Sequence, residues 1–238
     1  MSRSKIILTI ISSLIIAAGI FLYLNFGNLA KNAAEKIASN ALGVNVSISS
    51  LQVSLKEKSV VVRGVKIANP PGFKKSYIMT TDEIDIGLKA ASRQLIDFND
   101  IQVHGTVVNL EVTEKGTNLQ ALKNLAAKKP QKESVASEQV RVIVRKMVVN
   151  ESTINPSITL LDRDIGSIDL PPVRISGIGT KSNGVLAREA VAQIIIQYLG
   201  QAETAARKAG AMGGADAVLD NVKGAVDDAA KSIKGLFN

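Results

Sequence analysis

From Ile6 to Phe26 the chain carries no charged residue, and this run constrains everything that follows it. Only Thr9, Ser12, Ser13, Tyr23 and Asn25 relieve its apolar character. At about 1.5 Å per residue a helix over this run spans roughly 30 Å, the thickness of a bilayer's hydrocarbon core. Arg3 and Lys5 precede it, which keeps the N-terminus cytoplasmic, and Tyr23 and Phe26 sit where interfacial aromatics belong. The expectation is one uncleaved transmembrane helix, with residues 1–27 as cytoplasmic stub and anchor. A cleaved signal peptide is the competing reading, but its apolar core runs only about 7–15 residues before a small-x-small site. Tyr23-Leu24-Asn25-Phe26 suits cleavage poorly, and with no cysteine in the chain a lipoprotein is excluded. A third reading, a soluble secreted binding domain, puts the mature N-terminus near residue 27.

Past the anchor, the period of the apolar residues predicts a β-rich α+β domain with helices at its end. Leu29, Ala33, Ile37 and Ala41 recur every four residues up to a stop at Gly43, which predicts a leading helix over 29–42. The period then becomes two at Val44, Val46 and Ile48. It slips phase after Ser49 and Ser50 to Leu51, Val53 and Leu55, so a turn or bulge is expected there. Val60–Ile67, Ile84–Leu88 and Ile101–Val112 supply further strands, and Thr117 or Asn118 caps a short helix carrying Leu119, Leu122 and Leu125. Short connections predict an antiparallel, meandering and curved sheet rather than βαβ crossovers. Strands recur at Val140–Val149, Ile154–Leu161, Ile168–Leu170 and Val173–Ile175, with a faint echo between Ile101–Val112 and Met147–Leu160.

The expected organisation is a sheet region with its leading helix over 28–127, a basic linker over 128–138, and a second strand set continuing the sheet over 139–183. A packing helix over 184–208 follows, then a Gly hinge and amphipathic C-terminal helix over 209–238. In that last helix Leu219, Val222, Val226, Ala229, Ile233 and Leu236 share a face, and docking on the domain or on a membrane are both open to it.

The net charge of +8 raises nucleic acid as a partner, but its distribution argues against one. Between Lys115 and Lys146 eight basic residues face only Glu133 and Glu138, and no aromatics are interleaved to stack on bases. A solvated basic segment is expected, with contact to anionic headgroups as the alternative. Catalytic chemistry has little to work with. The chain has no cysteine and one histidine, His104, which alternation puts with Gln102 and Thr106 on the polar side of a strand. Glu83 and Asp85 face one way and Asp82 the other, while Asp97 and Asp100 read as loop and turn residues. The expectation is therefore a non-enzyme without metal or cofactor.

One ordered set of short motifs is more specific. After the anchor and an Ala-rich helix come Leu42-Gly43-Val44-Asn45-Val46-Ser47-Ile48 and Val65-Lys66-Ile67-Ala68-Asn69-Pro70-Pro71-Gly72-Phe73. The Ile84–Leu88 strand follows, then Ile101-x-Val103-x-Gly105 and Glu114-Lys115-Gly116-Thr117-Asn118-Leu119-Gln120-Ala121-Leu122. In this order the set resembles the N-terminal region of the AsmA family of envelope proteins, over roughly residues 1–125. The resemblance implies a twisted sheet curled into an apolar groove. It also implies a single-pass inner-membrane protein with its main domain in the periplasm, concerned with phospholipid handling or envelope homeostasis. Within the family the Asn69–Phe73 turn marks the fold and is not an active site. Alternation assigns Ile84, Ile86, Leu88, Ile101 and Val103 to the face that would meet lipid, and a closed core under the 184–208 helix is the alternative for each. A rival function is an envelope assembly scaffold that binds protein partners through the basic linker and C-terminal helix.

Overall fold

The computed structural model describes residues 27–92, 94–114, 116–128, 140–158, 163–164 and 166–211. The predicted membrane run, most of the linker and the C-terminal amphipathic segment lie outside these residues. Among the described residues no helix is long and apolar enough to cross a membrane.

The domain is α+β and β-rich. Helix α1 (27–42) leads into β1 (Val46–Ser54), β2 (Ser59–Ala68), β3 (Tyr77–Ala91) and β4 (Leu95–Thr113). After β5 (Gly116–Thr117) and α2 (Asn118–Ala127) come β6 (Arg141–Val149), β7 (Ser152–Ile158), β8 (Arg163–Asp164), β9 (Ile168–Leu170), β10 (Val173–Ile178), β11 (Val185–Leu186) and α3 (Ala187–Lys208). These strands form a single sheet whose main path is β1-β2-β3-β4-β6-β10. Six strands abreast make a sheet about 24 Å wide, narrower than eight strands in a row, because β7 and β9 continue the lines of β6 and β10 instead of widening the sheet.

The expected all-antiparallel meander holds from β1 to β4 and then fails. β4 pairs in parallel with both β6 and β7. The connection from β4 to β6 carries α2 and the linker, long enough for a crossover, which a parallel pair requires. Every β4 partner on β6 and β7 lies 46 residues further along, from Leu95 with Arg141 to Val112 with Ile158. The echo between 101–112 and 147–160 is thus a pair of neighbouring strands side by side in register.

A second departure from simple alternation runs across the whole sheet. Successive core-facing residues within a strand are normally two apart. At one level they are three apart on every line: Ile48 and Leu51, Val62 and Val65, Thr81 and Ile84, Val103 and Thr106, Val149 and Ser152, Leu170 and Val173. The extra residue inverts the pleat, as a bulge does. Because every strand adds it at the same level, no strand slips against its neighbour. Left-handed backbone at Gly64 (φ 63°), Gly105 (φ 64°) and Glu151 (φ 51°) makes the inversion. At Gly105 the side chain of Asp82 lies so close that an added Cβ would sit 2.7 Å from its Cγ, so a residue without Cβ belongs there. A second, shorter seam crosses β4, β6 and β10, where Phe98 and Ile101, Val144 and Met147, and Ile175 and Ile178 are again three apart.

The helices protect what the sheet leaves open. α1 runs antiparallel to β1 and satisfies the backbone of this edge strand with side chains. Ser39 Oγ accepts from Val46 N (2.9 Å), Glu35 Oε1 accepts from Ile48 N (2.7 Å), and Lys31 Nζ donates to Ile48 O (3.2 Å). At its other end Gly27 closes on the Leu51 carbonyl. Of the predicted stripe on this helix, Ala41 is buried but Leu29 is exposed. Thr117 is the N-cap of α2, its hydroxyl accepting from Gln120 N (3.2 Å), while Asn118 turns inward. α3 starts at Ala187, after the short strand β11, and buries Ala190, Ile195, Tyr198, Leu199, Ala202 and Ala206. It packs on β6, β9, β10 and α2, where Lys123 and Glu203 pair at 2.8 Å.

Candidate functional site: an apolar sheet face open at one end

Register brings the predicted face together. One row of partners runs Leu51, Val62, Ile84, Val103, Val149, Val173 across six strands. The next runs Val53, Val60, Ile86, Ile101, Met147, Ile175. Ile84 is thus opposite Val103 and Ile86 opposite Ile101, while Leu88, opposite Phe98, lies beyond the second seam. Exposure changes along the rows. Ile101 (6 % exposed), Val103 (4 %), Met147, Ile175, Val149 and Val173 are buried, on the side where α3 packs. Leu51, Val53, Val60, Ile84, Ile86 and Leu88 are only half-buried. The face is closed from β4 to β10 and partly open on β1–β3, where Val62 of β2 is nonetheless buried (7 % exposed).

On the other side of the first seam the equivalent rows are more nearly shut, with only Val65 and Ile168 half-buried among their apolar members. Val46, Ile67, Met79, Val108 and Ile154 are all buried, as are Leu119 and Leu122 of α2. Between the two halves lies a line of buried hydroxyls. Thr81 Oγ1 and Thr106 Oγ1 are 3.1 Å apart, with Ser152 next in the row, and Tyr198 of α3 faces Ser152. Burial raises the pKa of that phenol, which is therefore neutral.

The two motifs read as fold markers meet in space around Glu111, a carboxylate only 1 % exposed. It accepts from the backbone N–H groups of Lys74 (2.8 Å) and Lys75 (2.9 Å) and from the Asn69 side chain. Asn118 Oδ1 accepts from Glu111 N (2.9 Å), and Asn118 Nδ2 donates to Asn69 Oδ1 (3.0 Å) and Asn109 O (2.7 Å). The loop after β2, the end of β4 and the start of α2 are locked together by one fully used acid and two amides. This is structural chemistry: every oxygen of the acid is occupied by the protein itself. Sequence reading missed Glu111 because strand alternation gives no reason for burying a carboxylate.

No protein-family model, curated protein or solved structure matches the chain.

The remaining polar groups form pairs on the opposite face of the sheet. Asp97 and Asp100 are β4 residues, not loop and turn residues. Asp97 is buried and takes a bidentate contact from Arg145 (2.8 and 2.7 Å), which holds its carboxyl below the usual range. Asp100 is lowered by its hydrogen bond from Gln102 (2.7 Å) and by Lys146. Glu35 is lowered chiefly by the Ile48 N–H. His104 points outward, 4.0 Å from Glu151, and Gln102 is half-buried. Thr106, expected beside them, is buried on the core side because the Gly105 inversion intervenes. Among the described residues no cluster of His, Cys, Asp and Glu has a metal-binding arrangement. A shallow cleft of about 540 Å³ lies between Pro171-Pro172 and the last turns of α3, with Asp169, Arg174 and Lys208 around it. Its charges are mixed and do not converge on one point.

Proposed function

We propose that the chain is a non-enzymatic envelope protein of the AsmA-like type, anchored in the bacterial inner membrane by residues 6–26, with its domain in the periplasm. In this reading its open apolar face holds phospholipid acyl chains. The observation that carries the proposal is the uneven exposure of the two apolar rows, buried at β4–β10 and partly open at β1–β3 except at buried Val62. Partly exposed Val, Ile and Leu on this face gain from any apolar cover, at about 25 cal/mol per Å². From Ile84 to Leu88 the open face runs roughly 13 Å along β3, close to one leaflet of about 15 Å, half a hydrocarbon core. An acyl chain lying along the strands fits that length. A sheet about 24 Å wide is too small to join two membranes, so one copy holds or hands over lipid without forming a continuous conduit.

Photo-crosslinking tests this directly. With a photoreactive side chain at Ile86 or Val53, the full chain in native membranes should yield phospholipid adducts by mass spectrometry, and with one at buried Val108 it should not. Equal absence of adducts at all three positions, with no lipid co-purifying, would sink acyl-chain holding.

A further inference from the structure

Among the described residues three large hydrophobic side chains are exposed: Leu29 (54 %), Leu55 (77 %) and Tyr77 (39 %). Two of them gather at one end of the molecule. Contacts from Ser39 to Val46, Glu35 to Ile48 and Gly27 to Leu51 show α1 running antiparallel to β1. The N-terminal turn of α1, with Leu29, therefore lies at the end of the sheet formed by the β1–β2 turn. The apolar run of residues 6–26 joins the domain at this turn of α1. From Leu51 to Leu55 the strand continues about 13 Å past that junction. The turn itself needs no leucine: Ser54 Oγ accepts from Glu57 N (3.3 Å), and polar residues or glycine are the usual choice at such positions. Leu55 instead stands out from the tip with exposed Lys56 and Lys58 beside it. Leu88 N donates to Lys58 O (2.8 Å), which brings exposed Lys89 alongside. Lys56 and Lys58 flank one carboxylate, Glu57, while Lys89 also acts on Asp97, whose charge is already taken up by Arg145.

We propose that the β1–β2 hairpin tip is a second membrane contact, seating the domain on an anionic lipid surface with Leu55 at the headgroup level. An apolar side chain ringed by lysines is the chemistry of interfacial attachment, in which burial of the apolar group and attraction to anionic headgroups add. The interface between hydrocarbon and bulk water is about 5–8 Å deep on each side and the tip lies about 13 Å along β1 from the level of Gly27, so β1 has to lie inclined to the bilayer normal for Leu55 to rest at the headgroup level beside the end of the apolar run. The proposal shares with the functional reading above only the anchoring of residues 6–26. It requires no lipid on the apolar face.

Because the chain has no cysteine, Leu55→Cys gives a single labelling site, and Tyr77→Cys gives a matched exposed site at the opposite end of the sheet. The full chain is reconstituted into vesicles of phosphatidylcholine with or without phosphatidylglycerol, and a fluorophore at each site is quenched by nitroxides carried on lipid headgroups. The Leu55 probe should be quenched several-fold more than the Tyr77 probe. The excess should be larger with phosphatidylglycerol and should fall at high salt and on Lys56→Glu/Lys58→Glu/Lys89→Glu. Equal quenching at the two sites overturns the proposal, as does an excess indifferent to lipid charge and to the lysines. A Leu55 probe shielded from aqueous iodide yet untouched by lipid quenchers also overturns it, because a protein surface then covers the tip. Failure to incorporate into vesicles at all removes the anchor and this proposal together, while crosslinking at Ile86 reports separately on the apolar face.

Discussion

The two halves of the core face are built from the same strands and nearly the same side chains, yet one is sealed and the other is not. Val46, Ile67, Met79, Val108 and Ile154 are buried, whereas seven residues away along the first three strands Val53, Val60 and Ile86 are half-buried. Strand composition does not make this difference. α2 brings Leu119 and Leu122 to the sealed half and ties itself to β4 and the Asn69–Ser76 loop through Glu111 and Asn118. α3 covers β6 and β10, and neither it nor α2 makes comparable contact with β1–β3 on the other half. Burial here is set by where the helices lie, so an apolar residue in a strand is not by itself a core residue.

Mutations can break this contrast. Leu122→Ala, in the sealed half, should cost about 2–5 kcal/mol because it opens a cavity under α2. Ile86→Ala, in the open half, should cost less, about 1–2 kcal/mol, since that side chain is only partly buried. Urea unfolding of the two variants compares them, and equal losses would mean that the open half is packed as tightly as the sealed one. Next in size is the seam that divides them. Gly105→Ala forces a Cβ onto left-handed backbone and against Asp82, at about 1–3 kcal/mol. The matching change at Gly87, which has ordinary backbone and would bring a Cβ only into ordinary contact with the Asp100 backbone (3.6 Å), should cost less, and thermal melts rank the pair.

The smallest effect concerns pH. Asp97 has its pKa lowered in the folded state by Arg145, so its contribution is present above the unfolded value near 3.9 and is lost as pH falls through the folded value. Asp97→Asn should therefore be less stable than the parent at neutral pH. The two stability curves should converge as acid protonates the parent's carboxylate. Curves that stay parallel down to the acid transition would mean that the ion pair contributes nothing, as exposed pairs often do.

Much of this was legible in the sequence, and its limits have physical causes. The phase slip at Ser49-Ser50 was visible because β1 carries apolar residues on both sides of it. The same slip in β3 was hidden, since on one side of it the core-facing position is Thr81, which reads as polar. In β4 the slip at Gly105 placed Thr106 wrongly beside His104. Alternation grouped Ile84 with Ile86 and Ile101 with Val103, because each pair lies between the two seams. It had no means of predicting that Ile101 is buried and Ile86 half-open, which depends on α3, distant in the chain. The parallel pairing of β4 escaped for a similar reason: its trace was an echo at a spacing of 46 residues, which resembles a repeat as much as a crossover.

The seams also limit how this chain can change in length. Across the first seam six lines of strand share one count of residues, so an insertion or deletion close to it in any one line would throw that line out of step with its neighbours, whereas near Gly87–Ala90 β3 and β4 already differ in count. Such changes have room in the connections, and the Glu111 lock restricts even the loop at Asn69–Ser76. Substitution is therefore the freer route by which a chain of this design can diverge, and its strands should keep their lengths long after their side chains have changed.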